Sequence, residues 1–304
     1  MIQVDTLCHR IPNFIEKAKR AGVTRVFIGL ENINPDNLAA AKKRQNKITE
    51  YRKMLLAWKA QGIITLAGYI LGFPADTAET IRRDIAIMQR ELPVDILEFF
   101  CLTPLPGSED HQRLWKDGAR MDPDLNNYDV EHVCSDHPRM ARREWESIYR
   151  EAWSLYYSPK HLRTLIRRAA ATGMPVGSLL KILVTFATTV RLENVHPLQG
   201  GILRLKTPSE RRPGLPRESA LSFWARFCGA TVANHAILFS TIARLLIMRI
   251  AVTINPRAHA YIDQALMPVG EDGDEGHDLL TKTAGAREAV AHVKKIAELT
   301  SSAA

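Results

Sequence analysis

The chain has 304 residues, 46% hydrophobic and 24% charged, which fits a folded globular chain and excludes overall disorder. Its 41 Lys and Arg against 33 Asp and Glu give a formal charge of +8, favouring acidic ligands or an anionic surface without choosing between them. Cys8, Cys101, Cys134 and Cys228 stand far apart, with no CxxC or CxxxCxxC spacing. Neither a cysteine-rich metal site nor a disulfide scaffold is expected, and a reducing cytoplasm is the expected compartment.

Residues 1–20 carry Asp5 and Glu16 and no long apolar core, unlike a secretory signal. Residues 14–21 read as a helix stopped at Gly22, and 25–30 as a short strand. Tyr51, Met54, Leu55 and Trp58 fall at helical spacing over 48–60, which Gly62 ends. Residues 63–71 form a continuous apolar run. Asp76 is the expected N-cap of a helix reaching Leu92, with Glu79 three residues on, a capping-box pattern; Pro93 ends it. A third apolar run covers 95–102, and a further helix covers 108–116. Strands buried on both faces read as continuous apolar runs. Strands separated by helices pair in parallel. The fold class expected is therefore α/β, either an open layer or a partial (β/α) barrel, since three strands cannot close one.

After Gly118 the strand signal stops. A polar loop over 119–138 leads to helices over 144–157, 160–171 and 176–190. Residues 193–219 are irregular and rich in Pro and Gly. A long helical stretch follows, with a break or kink expected near Gly229. Its core, 230–252, is interrupted by Asn234, His235, Arg244 and Arg249, short of the roughly 18 uninterrupted apolar residues of a spanning helix. It reads as a buried or amphipathic helix, with interfacial membrane binding as the alternative. Residues 270–278 form an acidic flexible loop. The tail 286–299 reads as an isolated or frayed helix. The division expected is 1–125 for the α/β part and 126–304 for a helical C-terminal region.

Three places carry chemistry, and all lie at carboxyl ends of expected strands, where parallel α/β folds bind ligands. Glu31, after Gly29 and Leu30, sits at a strand mouth, where a carboxylate bonds a ribose hydroxyl or an ammonium; the plain alternative is a loop acid paired with Lys42, Lys43 or Arg44. Gly68 and Gly72 weaken a strand unless a backbone or a flat ligand must approach closely, and Asp76 faces the same mouth. The alternative there is a tight turn with an ordinary N-cap. Leu102, Thr103, Pro104, Pro106 and Gly107 form a stiff exit that could hold a planar ring, or simply lead into a helix capped by Ser108.

Together these segments resemble the radical S-adenosylmethionine superfamily, most closely its bacterial members with a cobalamin-binding domain. The likeness covers about 100 residues in three phrases: Phe27 to Glu31 with Lys43 to Asn46, Gly68 to Thr77, and Leu102 to Gly107. It implies S-adenosylmethionine as cofactor, with Glu31 near its methionine or ribose part. Gly68, Gly72, Asp76, Leu102, Thr103 and Pro104 would line the adenine side. The family's CxxxCxxC loop, which holds a [4Fe–4S] cluster, is not in this sequence, and Cys8 alone cannot replace it. The resemblance places the third barrel strand near residues 2–7, which implies an N-terminally truncated form of the barrel. The activity of such a chain is then in doubt, with an organic or lipid-like substrate for the full enzyme.

Asp129, His132, Cys134 and His137 sit in a polar loop that reads as a substrate lid in preference to a zinc site. Trp145, Tyr149, Trp153, Tyr156 and Tyr157 interleave with arginines, but share one helical face, so core packing is preferred to a nucleic-acid surface. His196 and Arg204, Arg211 and Arg212 lie in loops that are functional or merely connecting. Two further readings compete with the enzyme lineage. One is a non-catalytic protein whose half-barrel docks on a partner chain that completes it. The other is a basic protein peripheral to a membrane, or a nucleic-acid binder, with nucleic acid disfavoured.

Overall fold

The computed structural model describes residues 1–34, 37–38, 48–200, 207 and 218–268. Four strands form one sheet: β1 (Ile2–Val4), β2 (Arg25–Glu31), β3 (Ile64–Leu71) and β4 (Ile96–Cys101). They lie in the order β1-β2-β3-β4, and every neighbouring pair is parallel. Successive right-handed crossovers taken in one direction put their helices on one face, as in a segment of a (β/α) barrel; a doubly wound sheet would reverse its order. The crossovers carry α1 (Phe14–Arg20), α2 (Ile48–Ala60) and α3 (Ala78–Glu91). The fold is thus α/β, a partial barrel followed by a helical region.

Strand alternation separates two faces. Val26, Ile28 and Leu30 are fully buried beneath the helices, as are Ala67, Tyr69 and Leu71 on β3 and Leu97 and Phe99 on β4. Tyr51, Met54, Leu55 and Trp58 of α2 and Ile81, Ile85 and Met88 of α3 supply the helical side of this core. Phe27, Gly29, Leu66, Gly68, Ile70, Ile96, Glu98 and Phe100 occupy the opposite, inner face by register. Beneath the sheet, Lys59 Nζ bonds Asp95 Oδ1 at 2.5 Å, and Asp95 Oδ2 accepts from the Thr65 amide and hydroxyl, both at 3.0 Å. That buried pair fixes the amino ends of β3 and β4 relative to α2.

Beyond β4 come α4 (Glu109–Lys116), capped by Ser108, then α5 (Arg142–Tyr156), α6 (Pro159–Ala171), α7 (Val176–Glu193) and α8 (Ala220–Thr253). The aromatic stripe of α5 is core: Trp145, Tyr149, Trp153 and Tyr156 are buried, and Phe99 packs edge-on to Trp153 at 5.3 Å. Arg168 of α6, 2% exposed, donates to the Leu92 and Gln89 carbonyls and to Asp263 Oδ2. One guanidinium thereby ties the segment after α8 to the end of α3.

Two expectations are corrected. The N-cap of α3 is Thr77, not Asp76: the Thr77 side chain accepts from the Thr80 amide and the Thr80 hydroxyl accepts from the Thr77 amide. Asp76 turns back toward the strand end instead, because two amides there need an acceptor. The long C-terminal helix has no break at Gly229; α8 runs unbroken for 34 residues. Gly229 lies on its exposed side with nothing within 4 Å, where a glycine weakens a helix by about 1 kcal/mol without ending it. By length and composition α8 could cross a membrane, though no 18 consecutive apolar residues occur in it. The segments 270–278 and 286–299, Arg204, Arg211 and Arg212, and Lys42 to Asn46 lie outside the described residues.

Candidate functional site

Because β2, β3 and β4 are adjacent and parallel, their carboxyl ends fall on one sheet edge. Glu31, Gly72 and Thr103 therefore sit at neighbouring mouths. Glu31 has a left-handed φ of 66°, and the β2–β3 register shifts between Gly29 and Glu31. That bulge re-aims the side chain, so its Oε1 lies 3.2 Å from where a Cβ on Gly29 would stand. Gly29 faces Gly68 across β3, and Gly68 faces Glu98 across β4. Two glycines thus stand side by side on the inner face, between the Glu31 carboxylate and the Glu98 side chain. The Phe27 and Phe100 rings close over Gly68, where a Cβ would come within 3.1 and 3.0 Å of them.

A buried polar chain locks the first two mouths together. Asn32 Oδ1 accepts from the Asn34 amide at 2.7 Å, and its amide reaches the Ile70 carbonyl at 3.4 Å. Asn37 Nδ2 donates to Asp76 Oδ1 at 2.6 Å, and Asp76 Oδ2 accepts from the Gly72 and Phe73 amides at 2.9 and 3.0 Å. Burial raises the Asp76 carboxyl, while these donors pull it down. Asp76 shapes the turn and has both oxygens engaged within the chain. Gly72, with φ of 104°, lies against Trp145, whose ring would be 1.8 Å from an added Cβ. The flat group approaching Gly72 is therefore the protein's own indole.

The third mouth is tied to the following loop. The Leu102 amide donates to the Leu71 carbonyl and the Cys101 amide to the Val130 carbonyl, both at 2.8 Å. Thr103 Oγ1 donates to the Asp129 carbonyl at 2.6 Å. Leu102 and Thr103 stay half-buried and Pro104 is buried. In that loop, His132 Nδ1 meets Asp129 Oδ2 at 2.7 Å, and Cys134 Sγ bonds the Asn127 carbonyl at 2.7 Å. His137 Nδ1 accepts from the Arg139 and Met140 amides, so its ring proton sits on Nε2 and bonds the Phe73 carbonyl at 2.8 Å. Each side chain has a separate local partner. No cluster of three metal-ligating side chains occurs among the described residues.

Two groups were not singled out as site residues. Glu98 is 1% exposed, Oε2 has no hydrogen-bond partner, and burial alone pushes its carboxyl up to about 7. Its signal was there: one acid interrupts the apolar run of β4. His196 is fully buried and stacks on Phe100 at 5.0 Å; burial lowers it to about 4. Glu131 Oε2 accepts its backbone amide at 2.7 Å, which fixes this segment at the outer edge of β4. Only the lone histidine in an irregular segment marked it beforehand.

The cysteines do not fit an iron–sulfur cluster. Cys8, Cys101 and Cys134 are buried and Cys228 is exposed on α8. They are scattered over β4, the loop after it, the first turn and α8, and no three metal-ligating side chains come together among the described residues; burial also pushes the thiols of Cys8 and Cys101 up and that of Cys134 up to about 11.

No family model matches the sequence. A bacteriochlorophyllide d C-12(1)-methyltransferase of Chlorobaculum tepidum is 30% identical over 122 residues, 40% of this chain and 26% of that protein. The chain therefore spans well under half of that relative. Among solved structures, the archaeal Methanocaldococcus infernus Elp3 with an N-terminal deletion is similar at a TM-score of 0.36 and 15% identity, covering 49% of this chain and 40% of that one.

Proposed function

We propose that this chain is of radical S-adenosylmethionine descent and that its strand mouths bind the adenosyl part of S-adenosylmethionine. The observation that carries the reading is that Glu31, Gly72 and Thr103 stand at neighbouring mouths of three adjacent parallel strands, with Glu31 turned back over Gly29. The partial similarity to a methyltransferase supports it. In this reading Glu31 bonds the ribose or the ammonium, and the backbone at Leu102 to Pro104 lies along the adenine, while Gly68 stands behind the Phe27 and Phe100 rings. Gly72 and Asp76 act behind them, through Trp145 and the turn amides. No step is routed through a [4Fe–4S] cluster, because the thiols present do not suit one. Radical chemistry would need cluster ligands from outside these 304 residues.

Equilibrium dialysis with S-adenosylmethionine tests the adenosyl site. Saturable binding is expected, weakened about tenfold in Glu31→Gln by loss of a charge-assisted bond, and unchanged in the exposed control Glu79→Gln. No binding, or equal binding by the Glu31 variant, overturns it. Iron and sulfide analysis after anaerobic reconstitution is expected to find no stoichiometric cluster. A brown protein carrying one cluster per chain would refute the claim about the thiols.

A second reading, a non-catalytic interaction protein, is favoured by β1, whose outer edge pairs with no strand among the described residues. Light scattering tests it: self-association supports it, and a concentration-independent monomer counts against it.

A further inference from the structure

The longest of the described helices carries two apolar faces, and the described body packs on one of them. Phe223, Leu238, Leu245, Met248 and Val252 are buried, and the helix packs along α6 and α7. At 100° per residue these positions fall in one arc. Leu221, Val232, Phe239, Leu246, Ile250 and Ile254 fall in the opposite arc, about 80° wide. All six are exposed, from 45% at Leu246 to 83% at Leu221. The stripe follows the whole helix, about 50 Å at 1.5 Å per residue. Soluble monomers rarely leave so long an apolar strip open to water.

Charge decides what covers it. The 34 residues of α8 contain no Asp or Glu and three arginines, Arg226, Arg244 and Arg249. Arg226 and Arg244 lie to one side of the outer stripe, and Arg249 to the other, at the seam with the body, where its guanidinium is exposed yet 3.7 Å from where a Cβ on Gly177 of α7 would stand. Glu218, just before the helix, holds Arg226 at 2.7 Å. Arg244 and Arg249 are exposed and pair with no carboxylate among the described residues. A second copy laid stripe to stripe would bring arginine borders together with no acid on either helix to oppose them. An anionic lipid surface supplies both an apolar layer for the stripe and phosphates for guanidiniums whose stems lie along it. Crossing the bilayer does not fit, because the inner stripe is already packed on α6 and α7.

We infer that α8 is an in-plane membrane helix that seats this protein on anionic lipid through the outer stripe, with Arg244 and Arg249 at the headgroups. The inference is independent of the adenosyl site. On the surface the helix lies with its apolar face about 5–10 Å deep and the body on the aqueous side.

Vesicle flotation of the full chain tests it, with phosphatidylcholine vesicles containing phosphatidylglycerol against phosphatidylcholine alone. Binding to the anionic vesicles is expected, weakening as salt rises. Arg244→Gln with Arg249→Gln should weaken anionic binding about tenfold and leave the weak neutral binding unchanged. Phe239→Asp, at an exposed position, should abolish flotation while circular dichroism and the thermal midpoint stay those of the parent. Failure to float at low salt overturns the inference. So does equal binding to both vesicles that is insensitive to the arginine changes. A dimer in solution that Phe239→Asp turns into a monomer also overturns it, because the stripe would then be covered by a second copy.

Discussion

Gly72 and Gly68 owe their missing side chains to rings of the same chain. Trp145 lies over Gly72, and Phe27 and Phe100 lie over Gly68. The glycines suggest a close approach by a backbone or a flat group, or a tight turn, and cannot choose among them, because the ring over Gly72 is 73 residues away. Gly72→Ala combines a clash of Cβ with the indole and a φ of 104°, so a loss of about 3 kcal/mol or more is expected in urea unfolding. Gly22→Ala is the control. Its φ is 84° but nothing lies within 4 Å, so only the backbone cost of about 1 kcal/mol remains. Glu98 gives a pH signature. Its folded value of about 7 lies above the ordinary 4.5, so between them the folded chain holds a proton that the unfolded chain releases. Stability from this group is therefore complete below pH 4.5 and is lost as pH rises through 7. His161 and His196, lowered by burial to about 3 and about 4, act in the other direction: their contribution holds above pH 6.5 and drains as pH falls. Glu98→Gln leaves the histidines alone. Its stability minus that of the parent should rise by about 3 kcal/mol between pH 4.5 and pH 8, read from thermal or urea unfolding at each pH.

The start of α3 separates what neighbouring residues announce from what the tertiary fold demands. Asp76 and Thr77 are both good caps, and residue type alone favours Asp76, the wrong one. What ranks them is the strand end, where the Gly72 and Phe73 amides and the Asn37 side chain converge on the Asp76 carboxylate. Thr77→Ala should cost about 1 kcal/mol, an ordinary cap loss. Asp76→Ala should cost at least twice that, since it strands several buried donors, about 1–3 kcal/mol for each group left unsatisfied. Equal losses in chemical denaturation would return Asp76 to the role of a simple cap. Helix α2 was legible to its ends, 48 and 60, because Tyr51, Met54, Leu55 and Trp58 form an uninterrupted stripe and Gly62 stops it. The strands were legible because both their faces are buried. The α8 helix was misjudged at Gly229 because propensity prices a glycine but does not register 34 residues of intact hydrogen-bond ladder. The aromatic stripe of α5 was legible as core, yet its partners Phe99, Gly72 and His196 were not, since nothing local pairs them.

The parallel pairing of the sheet was legible in the alternation of strands and helices, but alternation leaves an open layer and a barrel segment both standing; the one-way order, which brings the three mouths to one edge, was implied by the resemblance. The inner-face placement of Gly29, Gly68 and Glu98 was not legible, because it depends on the register of three strands, and one residue of slip would turn Gly68 and Glu98 to the other face. The same topology predicts how stability is graded. β3 is paired on both sides, by β2 and β4, whereas β1 has three residues and, among the described residues, one neighbour. Amides of β3 should exchange with solvent only on global unfolding, and those of β1 by local fraying, orders of magnitude faster in native-state hydrogen exchange. The contrast also reports on barrel closure. A chain or segment that continues the sheet beyond β1 would slow exchange at Gln3 and Val4 while leaving Leu66 to Tyr69 at their global limit. If β1 in the isolated chain were already as protected as β3, that outer edge would be covered in solution, and the open half-barrel would not be the state the protein adopts.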